Sequence, residues 1–107
     1  MPPVAGAFHA EIVAEGDDAV IVAHGDVDVA TAATLSAAVD EALATLPARL
    51  VLDASDVAFL DSTGLSALVR AYRALPLGCP LVLRRPSPRV AKVLAMTGVD
   101  TLFVIEG

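Results

Sequence analysis

The sequence holds one cysteine, one tyrosine and no tryptophan, and it has only seven lysines and arginines against thirteen acids. The lone Cys79 excludes an internal disulfide and makes a cysteine-rich metal site untenable. Set between Gly78 and Pro80, it reads as a small apolar filler. The formal net charge of -6 argues against a nucleic-acid partner. Long apolar runs are missing as well. Stretches such as Ala19 to Ala23 fall far short of the ~20 residues a spanning helix needs, so no membrane insertion is expected. Met1-Pro2-Pro3-Val4-Ala5-Gly6 has no basic residue and no long apolar stretch, unlike a signal peptide. Its prolines predict a disordered lead over residues 1–6, followed by one domain over 7–107. Together these features point to the cytoplasm as the expected location.

What is present is apolar and alternating. Hydrophobic residues make up 56% of the 107, enough for one real core. Phe8, Ala10 and Ile12 alternate with His9, Glu11 and Val13, which predicts a strand with one wet face. Glu15-Gly16-Asp17-Asp18 reads as a turn, and Ala19 to Ala23 as the hairpin partner. Leu35, Val39, Ala42, Leu43 and Leu46 recur at helical spacing, with Thr31 or Asp28 as N-cap and Pro47 as the stop. Arg49 to Asp53 is apolar enough for a central strand. Leu65, Leu68, Val69, Tyr72 and Leu75 stripe a second helix, closed by Pro76-Leu77-Gly78. Leu81 to Leu83 forms a fourth strand. Ser87-Pro88 opens a third helix, whose core side carries Val90, Val93, Leu94 and Thr97 before Gly98 caps it. Leu102 to Ile105 is a last short strand. The order β-β-α-β-α-β-α-β predicts an α/β domain: a mixed sheet with helices packed on it, parallel pairs being joined by right-handed crossovers.

Chemistry concentrates at Phe59-Leu60-Asp61-Ser62-Thr63-Gly64-Leu65, where a strand and loop run into a helix. Two hydroxyls and a carboxylate meet at a helix N-terminus, whose N–H groups lack partners and whose dipole favours negative charge. Serine is a common N-cap, and that alone would explain Ser62. Yet Asp61, Ser62 and Thr63 compete for one capping role. Gly64 falls inside the first turn, where glycine costs up to ~1 kcal/mol relative to alanine. A small residue there implies a close approach by another segment. Phe59 and Leu60 look like anchors for the loop.

This stretch, with the strand Leu50-Val51-Leu52-Asp53 before it, closely resembles the signature of STAS domains, in particular bacterial anti-sigma factor antagonists. Gly25-Asp26-Val27-Asp28 with Thr31-Ala32 resembles that family's Gly-Glu-Leu-Asp and helix-opening Thr-Ala. Ser87-Pro88-Arg89-Val90 and Met96-Thr97-Gly98-Val99 extend the match over nearly the whole chain. The resemblance implies a non-enzymatic regulator that works by partner switching. The unphosphorylated protein binds an anti-sigma factor that is also a serine kinase, and so releases a sigma factor. The kinase modifies the hydroxyl that matches Ser62, and a PP2C-type phosphatase reverses it. Asp28 matches an aspartate of the partner interface. Asp28, Asp61, Ser62, Thr63, Gly64 and Leu65 are the partner-binding candidates. No cofactor, metal site or catalytic residue is implied. Two departures stand out: Asp26 replaces the usual glutamate, and the sequence stops near the last strand, without the C-terminal helix many relatives carry.

Rival readings exist. Ser62, His24 and Asp28 could form a triad, although there is no Gly-x-Ser-x-Gly elbow, and His9 and His24 read as polar strand residues. Asp53 ends a central strand as a phosphoaspartate acceptor does, but Asp17-Asp18 sits in a turn and Lys92 in a helix. Asp53 and Asp56 read as turn and cap residues. Arg70, Arg73, Arg84, Arg85, Arg89 and Lys92 read as ordinary solvated charges. A STAS subunit of a lipid transporter or stress-sensing assembly would share the fold and is the alternative function.

Overall fold

The computed structural model describes residues 8–107, so the lead expected over residues 1–6 lies outside the described residues. Strands β1 (His9–Glu15) and β2 (Asp18–His24) form the antiparallel hairpin, turning at Gly16 with φ +60. Strands β3 (Leu50–Asp56), β4 (Leu81–Arg84) and β5 (Val104–Glu106) add parallel to β2, in the order β1-β2-β3-β4-β5. Parallel neighbours need long crossovers. Helices α1 (Ala32–Leu43), α2 (Ser62–Ala74) and α3 (Pro88–Thr97) supply them. The element order is the one read from the sequence.

The helices' apolar sides share one core. Leu35, Ala38, Val39 and Ala42 of α1, Ala67, Leu68 and Ala71 of α2, and Val90 and Leu94 of α3 pack with the inward residues of β2, β3 and β4. Three details differ from the sequence reading. Helix α1 stops at Leu43, and Leu46 turns left-handed (φ 55) and exposed, because a helical residue is disfavoured directly before Pro47. Tyr72 and Thr97 lie outside, since the small residues Gly64, Ala67 and Ala71 carry the buried side of α2 and Val90 and Leu94 that of α3. A short 3-10 turn, Val99–Leu102, delays the last strand to Val104 and buries Phe103.

On the opposite face, Val13, Val20, Val51, Val82 and Val104 stand in register across all five strands. The middle three are buried, yet no helical residue belongs to their cluster. Charged side chains cover them instead. Arg84 lies 3.1 Å from Glu106 and reaches Glu15 at 3.1 Å. It stands two pairs beyond the valine row and Glu15 two pairs before it, on the same face, so this contact crosses the row. Arg49 holds Asp18 at 2.7 Å and Glu106 at 3.8 Å. Arginine stems cover apolar surface while their heads stay polar. Arg84 and Arg85 are therefore structural partners rather than free solvated charges.

Candidate functional site: the rim around Ser62

Helix α2 starts at Ser62 because Asp61 is extended (φ -96, ψ -172) and its carboxylate accepts the Gly64 N–H at 2.9 Å. That hydrogen bond settles the three-way competition for the cap. Ser62 occupies the first helical position, exposed and with no capping duty. Thr63 and Leu65 are half-buried, and Leu65 packs against the core. Leu60 is buried and pins the loop; Phe59 is 42% exposed and does not. The alternation of the short Val27–Leu60 bridge sends Leu60 in and Phe59 out.

The segment that approaches Gly64 is the loop after β2. A Cβ added at Gly64 would stand 2.6 Å from Leu60 Cδ1 and 2.7 Å from the Val27 carbonyl oxygen. Val27 donates its N–H to the Phe59 carbonyl at 3.0 Å and accepts the Asp61 N–H at 3.2 Å. Gly25 donates to the Asp56 carbonyl at 3.0 Å. The two loops are laced together, and Asp28 follows the residue that holds Asp61. Asp28 also has a structural task. Its carboxylate accepts the Ala30 N–H at 3.0 Å and the Thr31 hydroxyl at 3.1 Å, and its carbonyl accepts the Thr31 and Ala32 N–H groups. Thr31 sits at the α1 N-cap position, but its hydroxyl donates to Asp26 and Asp28 instead of capping.

Charge on this rim is unpaired. None of the ion pairs among the described residues involves Asp26, Asp28 or Asp61. The triad is not assembled. His24 Nδ1–H donates to Asp56 at 2.6 Å, and Nε2 lies 3.4 Å from Glu11. The hydrogen bond to Asp56 raises the His24 pKa above its ordinary value, against some loss from burial. His9 stacks on His24 at 6.0 Å, so both rings serve the strand face.

Asp53 and Asp56 are not the turn and cap residues the sequence suggests. Asp56 is the partner of His24. Asp53 is buried at the end of the apolar run, held by the Ser55 N–H and hydroxyl and by Arg85 at 2.6 Å. Burial pushes its carboxyl up, but the Ser55 hydrogen bonds and the Arg85 guanidinium outweigh that and hold it below the usual carboxylate range. A pattern signal existed: one acid inside Leu50 to Ala54 has to find a partner. No group of three His, Cys, Asp or Glu side chains among the described residues could hold a metal ion. No helix among them is long and apolar enough to cross a membrane.

Comparison with known proteins agrees with this architecture. The family model described as "Mlab, STAS domain" matches residues 10–106. The chain belongs to the STAS-domain family. An anti-sigma factor antagonist from Mycobacterium paratuberculosis is similar in structure, with a TM-score of 0.83 and 28% identity, over 96% of this chain and 88% of that one. A putative anti-sigma factor antagonist from Thermotoga maritima matches with a TM-score of 0.75 and 26% identity, over 94% and 86%. The Bacillus cell fate determinant SpoIIAA, in its phosphorylated form, shares the fold with a TM-score of 0.66 at 22% identity, over 94% and 92%.

Proposed function

We propose that this protein is an anti-sigma factor antagonist that switches partners through Ser62. Unphosphorylated, it binds an anti-sigma factor that is also a serine kinase, through Asp28, Asp61, Ser62, Thr63, Gly64 and Leu65. Phosphorylation of Ser62 releases it, and a PP2C-type phosphatase restores it. It acts in the cytoplasm as a binding protein and not as an enzyme. The observation that carries this reading is the exposed Ser62 at the first position of α2, with the capping role already filled by Asp61. A hydroxyl with no structural duty is free to be modified.

The physics supports a switch that spares the fold. A phosphate adds about -1.5 to -2 charge and three acceptor oxygens. At a helix N-terminus, N–H groups without intrahelical partners and the dipole offset that charge. The cap between Asp61 and Gly64 need not break. The cost falls on binding, because the new charge enters a rim whose carboxylates form no ion pair among the described residues.

The test is incubation with each purified anti-sigma serine kinase of the same genome and ATP, then location of the phosphate by mass spectrometry. One phosphate on Ser62, absent from Ser62→Ala, is the expected result. No label at Ser62 with any of them, and co-purification with transporter subunits, would favour the lipid-transporter alternative instead.

A further inference from the structure

Asp53 is the one buried charged residue among the described residues. Arg85 (φ 50) is one of two non-glycine residues there in the left-handed region. Both features are costly, and they meet in one contact: the guanidinium of Arg85 donates to the Asp53 carboxylate at 2.6 Å. The side chain of Arg85 is 56% exposed, so the contact does not exist to bury it. Arg85 stands directly before Pro86, as Leu46 stands before Pro47, and its left-handed turn aims the side chain back at the end of β3 while its N–H donates to the Glu106 carbonyl at 2.7 Å. Pro86 and Pro88 then leave the connection to α3 little freedom. Between them, the Ser87 hydroxyl accepts the Val90 N–H at 3.3 Å and donates to the Val57 carbonyl at 2.9 Å. Val57 is buried and is the first residue after β3, at the root of the loop that ends in Asp61-Ser62.

We propose that Asp53, Arg85 and Ser87 are positioning residues: a brace that fixes the start of α3 to the root of the Ser62 loop and sets how that hydroxyl is presented. None of the three touches Ser62. They act through Val57, as the neighbouring loop acts from the other side through Val27. The importance of that presentation rests on the reading of Ser62 as the modified residue; the brace itself does not.

The test compares Arg85→Gly, Ser87→Ala and the control Lys92→Ala. Glycine accepts φ 50 without strain but removes the guanidinium. Ser87→Ala cuts the link to Val57 together with the α3 cap on Val90, so exchange at Val90 is followed beside it and the loop amides report the link. Amide exchange is followed at Val57, Asp61 and Gly64, whose N–H groups bond Ala54, Val27 and Asp61, against the core amides of Ile21 and Leu83. The brace predicts that both variants speed exchange at the three loop amides by about tenfold and leave the core amides unchanged. It also predicts a severalfold drop in kcat/KM for phosphorylation of Ser62. Unchanged loop exchange in Ser87→Ala overturns the proposal, as does an equal rise at loop and core amides, which marks a merely global loss of stability. Should Arg85→Gly not fold, Ser87→Ala decides alone. A wild-type protein that no kinase labels refutes the switch at Ser62, while the exchange result still judges the brace.

Discussion

The helix-free face of the sheet and the rim around Ser62 are built from the same kinds of residue and treat them oppositely. On the face, Glu15, Asp18 and Glu106 are matched by Arg49 and Arg84 over a row of valines. On the rim, Asp26, Asp28 and Asp61 form no ion pair among the described residues, and Phe59 and Val29 stand exposed at 42% and 79%. Charges that neutralise one another close a surface. Charges left unmatched beside open apolar side chains keep one available. Ion pairing thus separates acids that close a surface from acids that leave one open, whatever local caps the latter also make, as Asp28 and Asp61 do.

Substitutions can break this contrast. The largest effect belongs to Gly64→Ala. Alanine favours a helix by up to ~1 kcal/mol, but its Cβ would collide with Leu60 and the Val27 carbonyl. Overpacking of this kind costs about 1–3 kcal/mol, so the urea midpoint should fall despite the better propensity. Next comes Arg84→Ala, which uncovers the valine row, frees Glu15 and leaves Glu106 only its 3.8 Å contact with Arg49. A loss of about 1–2 kcal/mol is expected, smaller in high salt, together with binding of a hydrophobic dye. Equal loss at low and high salt would mean that the stem, and not the charge, does the covering. Asp61→Ala removes the α2 cap and should cost about 1 kcal/mol in thermal unfolding.

The smallest effect concerns pH. The folded pKa of His24 lies above its ordinary value because of Asp56 and Glu11. Its contribution is complete below the unfolded pKa and is lost as pH rises through the folded one. Wild type should therefore lose slightly more stability than His24→Gln between about pH 6 and pH 8. Parallel curves for the two proteins would show that the contact contributes nothing.

How much of this was legible in the sequence depends on range. The Asp61 to Leu65 turn is local chemistry, and so are the Ser87-Pro88 start and Gly98 stop of α3, which the structure reproduces. Gly64 announced a close neighbour without naming Val27, because contacts between distant segments leave no local pattern. Asp53 with Arg85 and His24 with Asp56 are each separated by 32 positions, and neither pairing can be seen before the strands are aligned. Tyr72 lies outside the core although it falls on the apolar stripe, because periodicity marks a stripe without saying which edge of it the small residues claim. Phe59 faces outward because the bridge beside it joins Leu60 to Val27, far away in the chain, and no local pattern shows that.

A phosphate on Ser62 is expected to change binding and not folding. The direct measurement is a titration of the cognate anti-sigma kinase with unmodified and Ser62-phosphorylated protein, alongside their melting temperatures. A loss of affinity of about a hundredfold, ~2.7 kcal/mol, with melting temperatures within a few degrees is the predicted result. Equal affinities for the two forms would contradict it.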